Sequence, residues 1–109
     1  MRSVAASSGT TVRAAAAGNV IYAGNAPGPL SDYGNLVLIQ HADGFITVYA
    51  HMSRILVQNQ AQVRQNQEVG EVGQTGGVTE PQLYFEMRFA PVATEKPVAF
   101  DPTMVLPRQ

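Results

Sequence analysis

What this chain lacks narrows its function before any motif is read. It has no cysteine, which removes disulfide bonds, a thiolate nucleophile and any cysteine-based zinc site. That absence suits a secreted or periplasmic domain. Basic residues are few: Arg2, Arg13, Arg54, Arg64, Arg88, Lys96 and Arg108 are scattered within a net charge of −1. No basic run can neutralise several phosphates together, so nucleic acid is not expected as a partner. Long apolar stretches are missing too. The run 36–39 is far shorter than the roughly 20 residues of a membrane-crossing helix, and no membrane contact is expected of this domain. No signal-peptide pattern is visible. Charged residues make up only 14 % of the 109 and hydrophobic ones 45 %, which supports a single core held by apolar burial rather than by ion pairs.

What is present reads as short strands. Residues 1–16 hold two β-prone pieces around Ser7-Ser8-Gly9, and the four alanines before Gly18 are too few for a stable helix. Gly18-Asn19 leads into Val20-Ile21-Tyr22-Ala23, closed by Gly24-Asn25. With two prolines and two glycines, residues 25–34 predict a loop without regular structure. Residues 35–41 and 45–51 form two strands joined by Ala42-Asp43-Gly44, an Asp-Gly hairpin signal. In the second, alternation puts Phe45, Thr47, Tyr49 and His51 on one face. Residues 52–77 read as short valine-centred strands and glycine turns. Residues 82–89 are an amphipathic strand: Leu83, Phe85, Met87 and Phe89 are placed to face a core, and Gln82, Tyr84, Glu86 and Arg88 form a polar row. Asp101-Pro102 predicts a single helical turn over 101–106. The fold class is all-β, a small two-sheet sandwich or open barrel of short antiparallel strands with a groove and little helix.

The chemistry-bearing residues exclude more than they support. A hydrolytic zinc site takes three ligands from His, Asp, Glu or Cys, and only His41 and His51 are histidines. A histidine closing a strand more often bonds a carbonyl or a neighbouring side chain. Glu86 is the only acid on a strand that could face a site. No serine lies on a nucleophile turn, and most carboxylates that could pair for glycoside hydrolysis lie in turns. The valine-glycine hairpins suggest a swinging-arm carrier, but the one lysine, Lys96, lies in a proline-containing linker rather than at a hairpin tip.

An ordered set of segments resembles a known family. Gly9-Thr10-Thr11-Val12, Tyr33-Gly34-Asn35-Leu36-Val37-Leu38-Ile39-Gln40-His41, Tyr49-Ala50-His51-Met52, Gly73-Gln74-Thr75-Gly76 and Pro81-Gln82-Leu83-Tyr84-Phe85-Glu86-Met87-Arg88 are similar to the LytM/lysostaphin-type zinc endopeptidase domain. The resemblance runs from residue 3 to 106. It implies that one metal-ligand position falls on Ser3, another on Tyr84, a catalytic histidine position on Gln82, and an upstream histidine position before Met1. His51 alone keeps a catalytic histidine of the family. Tyrosine is a protonated phenol at neutral pH and serine a neutral hydroxyl, while Gln82 cannot shuttle a proton. The resemblance therefore implies a degenerate, non-catalytic domain spanning 1–109, the C-terminal part of a longer protein, with no metal and no cofactor.

Within that family the chain looks like the murein hydrolase activators of the NlpD, EnvC and DipM type. The implied function is binding and activation of a peptidoglycan hydrolase, an N-acetylmuramyl-L-alanine amidase or a lytic transglycosylase, during cell division and septum splitting. The implied location is the Gram-negative periplasm at the division site. The expected docking groove uses Tyr33, Tyr49, His51, Gln82, Tyr84, Glu86 and Arg88, with residues 26–33 as a wall. For Glu86 and Arg88 the competing reading is a simple ion pair across the sheet. The alternatives for the chain are a peptidoglycan-binding targeting module and a residual zinc endopeptidase.

Overall fold

The computed structural model describes residues 2–89. The helical turn expected over 101–106 and the Lys96 linker lie outside the described residues. Eight strands make up the described chain: β1 (Arg2–Ala5), β2 (Thr11–Arg13), β3 (Gly18–Asn25), β4 (Asn35–Gln40), β5 (Phe45–Ile55), β6 (Gln62–Val63), β7 (Glu68–Val72) and β8 (Gln82–Phe89). All pairings are antiparallel, in the order β1-β8-β5-β4-β3-β6, with β7 joining β5 to β2. Among the described residues the sheet does not close, and the only helix is two short 3-10 segments. The predicted all-β class and open arrangement match this architecture.

β5 is the spine of the fold. It continues past the expected end at residue 51 to Ile55, and it changes partners on the way. Its first half pairs with β4 and β8, and its second half with β7. The change happens at a bulge. Two steps along β4, from Asn35 to Val37, match three along β5, from Met52 back to Tyr49. His51 takes the extra step with φ +64, a left-handed conformation uncommon outside glycine and asparagine.

Both faces of the sheet are covered, which explains why 46–52 is buried without alternation. On one face Val12, Val69, Val72 and Val63 of the β2–β7 arm and β6 pack on Val20, Val37, Ile39 and Tyr49. On the other, Leu30 and Tyr33 pack on Leu36, Leu38, Ile46, Val48, Ala50 and Tyr84. Leu30 and Tyr33 belong to residues 25–34, where regular structure was not expected. The structure corrects that: Gly28–Tyr33 is a 3-10 segment. Its prolines fall at or before the first helical positions, where no intrahelical N–H is needed, and Gly34, at φ +69, ends it.

The burial of β8 follows the periodic reading only at Leu83 and Phe85, which pack against the core. Met87 and Phe89, placed to face a core, are 58 % and 64 % exposed, while Tyr84 and Glu86 of the polar row are 6 % and 7 % exposed. The alternation itself is as predicted. The 3-10 segment caps the polar face, whereas the far end of the apolar face is less covered.

Gly34 and Gly76 let the loop that carries the 3-10 segment pack against the loop that carries Thr75. A Cβ on Gly34 would overlap Thr75, and one on Gly76 would overlap the Asp32 carbonyl; both glycines have positive φ. Gly34→Ala is expected to lower the free energy of unfolding by at least about 2 kcal/mol, combining backbone strain and overlap. Urea unfolding followed by circular dichroism measures it, and an unchanged midpoint would remove Gly34 from this role.

Candidate functional site

β8 lies between β1 and β5, and register decides which side chains meet there. Ser3 is opposite Tyr84 and Ala5 opposite Gln82 on one side; Ala50 is opposite Tyr84, Val48 opposite Glu86 and Ile46 opposite Arg88 on the other. Directly opposed residues share a face. Ser3, Gln82, Tyr84, Glu86 and Arg88 are thus on one side of the sheet, and Ser3 and Tyr84, the two residues expected at metal-ligand positions, are cross-strand neighbours.

His51 joins them because of the bulge. Regular alternation would send it to the face of Tyr49, but the left-handed step brings its ring edge-on to Tyr84, with centroids 6.2 Å apart. His51 Nδ1 lies 2.8 Å from the Thr75 carbonyl. A carbonyl only accepts, so Nδ1 carries the proton and Nε2 of the neutral ring presents a lone pair. Thr75 is itself fixed. Its Oγ1 donates to Met52 O at 2.8 Å and accepts the Asn35 N–H at 3.0 Å, and Asn35 Nδ2 donates to the same Met52 carbonyl at 2.8 Å. Thr75 and Asn35 are positioning residues that periodicity does not expose. Their one signal in the sequence is the glycine beside each, Gly34 and Gly76.

Tyr49 is not with this group, and the expectation that it shares a face with His51 is corrected by the same bulge. Its ring packs edge-on against Phe85 at 5.5 Å, and its hydroxyl belongs to a directed chain. Ala15 N–H donates to Tyr49 Oη at 2.9 Å, Tyr49 is 2.8 Å from Thr47 Oγ1, and Thr47 is 2.7 Å from His41 Nε2. His41 Nδ1–H donates to the Ala17 carbonyl at 2.7 Å. His41 therefore has a structural role and stands on the opposite face from His51. A small recess lined by Ala15, Ala16, His41, Phe45, Thr47 and Met87 opens on that face.

The polar row forms contacts within itself. Tyr84 Oη donates to Glu86 Oε1 at 2.7 Å, and Arg88 Nε reaches Glu86 Oε2 at 3.2 Å. Glu86 and Arg88 thus pair along one strand rather than across the sheet. Tyr33 leans edge-on against Tyr84 at 5.7 Å. Burial, then the hydrogen bond to Glu86 and its negative charge, pushes the Tyr84 phenol far above its ordinary value. Burial, with the charge of Glu86 adding to it, also raises Tyr33.

These donors do not suit zinc. Ser3 and Gln82 are neutral, Tyr84 keeps a proton that it gives to Glu86, and His51 is a single imidazole. Among the described residues no group of three or more His, Asp or Glu side chains could hold a metal ion. Stoichiometric zinc in protein purified without chelator would contradict this donor reading; elemental analysis is expected to return well below one equivalent.

The tyrosines also set an alkaline limit. Tyr22, Tyr33, Tyr49 and Tyr84 are all raised above 10.0 in the folded chain, chiefly by burial. A raised folded value means stability fully present below the unfolded value and lost as pH climbs from about 10 towards the folded values. The urea midpoint is expected to fall above about pH 10, with phenolate absorbance appearing together with unfolding. Ionisation of all four phenols without loss of secondary structure would contradict it.

Residues 2–100 match the model of Peptidase family M23. The chain is similar to Cell division protein DipM of Caulobacter vibrioides, at 50 % identity over 105 residues, 96 % of this chain and 17 % of that protein. It is similar to Murein hydrolase activator NlpD of Escherichia coli, at 41 % identity over 86 residues, 79 % of this chain and 22 % of that protein. It thus spans less than a quarter of the length of either relative. Among solved structures it resembles the catalytic domain of the antimicrobial peptidase lysostaphin from Staphylococcus simulans, with a TM-score of 0.76, 27 % identity, and 84 % of this chain and 67 % of that one covered. With a family model spanning nearly the whole chain and the same open antiparallel fold beneath it, this chain belongs to peptidase family M23.

Proposed function

We propose that this M23 domain is a non-catalytic regulator that binds and activates a peptidoglycan hydrolase, an amidase or a lytic transglycosylase, in the periplasm at the division site. The observation that carries the proposal is the Ser3–Tyr84 pair. Where the resembled peptidases carry two metal ligands, this chain carries a hydroxyl opposite a phenol that is hydrogen-bonded to Glu86. A family scaffold with its donors replaced keeps a shaped surface and loses the means to activate water. The printed names of the relatives, a murein hydrolase activator and a cell division protein, support the same reading.

Activation then requires that the partner hydrolase have two states and that this domain bind the active one more tightly. Of the residues expected to form the docking groove, Gln82 and Arg88 are half-buried, and Ser3 beside them is exposed. These three offer a neutral amide, a cation and a hydroxyl at the rim, while Tyr84, Glu86 and His51 lie beneath.

Adding the purified domain to a purified amidase from the same genome is expected to raise dye release from labelled sacculi. Ser3→Arg and Gln82→Arg, which change the rim and leave the buried row intact, should each reduce potency about tenfold without lowering the melting temperature. Absence of stimulation for every amidase and lytic transglycosylase of that genome would sink the proposal. Sacculus binding with no change in hydrolase rate would instead favour a targeting module.

A further inference from the structure

The surface proposed to receive a partner is largely shut. Tyr33, His51, Tyr84 and Glu86 are all buried, although an expected groove floor should meet solvent. The cover is the chain's own 3-10 segment, Gly28–Tyr33, which lies over the floor rather than beside it as a wall.

Several observations fit a hinged cover. The segment connects β3 and β4, whose last pair, Asn25 and Asn35, closes its base, and Ala26 N–H donates to Gly34 O at 2.8 Å. Gly28 and Gly34, at the two ends of the segment, have φ +44 and +69, so the backbone turns sharply on entering and leaving it. Leu30 anchors the middle of the segment in the apolar cluster of β4 and β5. Tyr33 anchors the far end on different ground. It stands edge-on to Tyr84 and close enough to Glu86 and Arg88 to sense both charges. A neighbouring loop holds this end down, with Gly77 N–H donating to the Asp32 carbonyl at 3.0 Å. One buried atom at the edge of the floor, Arg88 Nη1 of the rim, has no hydrogen-bond partner in this closed arrangement.

We infer that the Tyr33 end of Gly28–Tyr33 is a gate, and that a partner occupies the groove only when this end swings away from Tyr84 and Glu86. The inference rests on the regulatory reading above and adds a step to it. Swinging the Tyr33 end while Leu30 stays seated uncovers the hydrogen-bonded row and leaves the apolar cluster of β4 and β5 covered. The floor it uncovers carries a phenol, a carboxylate and the His51 imidazole beside the Arg88 guanidinium of the rim, so a docking segment needs polar side chains as well as apolar ones. The partner's binding energy then both opens the gate and holds it open, which lowers apparent affinity by the fraction of time the gate is open in the free domain.

The absence of cysteine makes a clean test available. A Cβ on Gly77 would lie 3.3 Å from Asp32 Cβ, within a few tenths of an ångström of disulfide geometry. Asp32→Cys with Gly77→Cys should therefore staple the gate shut when oxidised and free it when reduced. Oxidised protein is expected to stimulate a responsive amidase at least about tenfold less potently than the same protein reduced, and reduction should restore wild-type potency. Equal stimulation by both forms overturns the gate.

The gate is also read without a partner, so a failed regulatory reading does not hide it. Hydrogen exchange of the wild-type Gly77 amide should run at least about tenfold faster than that of Val48 in β5, through local opening. Exchange of both amides only on global unfolding overturns the gate, even if the domain activates a hydrolase. Fast local exchange with no hydrolase stimulated overturns the proposed function and leaves the gate standing.

Discussion

The contact on which most of this structure depends is the hydrogen bond from His51 Nδ1 to the Thr75 carbonyl. It holds a left-handed residue in the middle of the longest strand, a conformation worth about 1–2 kcal/mol of strain. Everything on either side of it follows. Before His51, β5 serves the sheet of β4 and β8; after it, the same strand serves β7. Thr75 keeps the bulge in place by bonding both Met52 O and Asn35 N–H. The close approach of Gly34 and Gly76 lets the loop that carries Thr75 sit against the loop that carries Tyr33.

That arrangement keeps the polar face of β8 largely satisfied on a peptidase-family scaffold. In a zinc site the strand facing the metal must present bases aimed at a point. Here the corresponding strand presents Tyr84, Glu86 and Arg88 bonded to one another, and the row is satisfied largely by its own members. Buried polar groups are tolerated when their hydrogen bonds are met and are costly when they are not. A phenol that donates to a neighbouring carboxylate is therefore accommodated on this buried face at modest expense to stability. The same logic accounts for His41, whose two ring nitrogens serve Ala17 and Thr47.

Much of this was legible from residue order, and the misses have specific causes. Period-two alternation located β8 to the residue and identified its polar row, because alternation reports which side chains share a face. It does not report what covers each face. The burial of Tyr84 and Glu86 was missed since their cover, Leu30 and Tyr33, comes from a proline-rich stretch read as structureless. Tyr49 was assigned to the wrong side because alternation assumes an unbroken strand, and no residue type announces a bulge at histidine. Thr75 and Asn35 carried no periodic signal; they act through single hydrogen bonds to backbone that only the folded chain brings close. Ser3 and Tyr84 lie on strands far apart in the sequence, and only the fold sets them opposite each other.

That same pairing has a consequence for the order of events in synthesis. β1 is made before the rest of the described chain, and its partner β8 is separated from it by most of that chain. A long loop must close before those two strands can register, and such distant contacts are slow to form. β3, β4 and the first half of β5 need only local hairpins and can assemble while the rest is still emerging from the ribosome. The rim is therefore the last of the described regions to take shape, and until residue 84 has emerged the hairpin core lacks the strand that carries it.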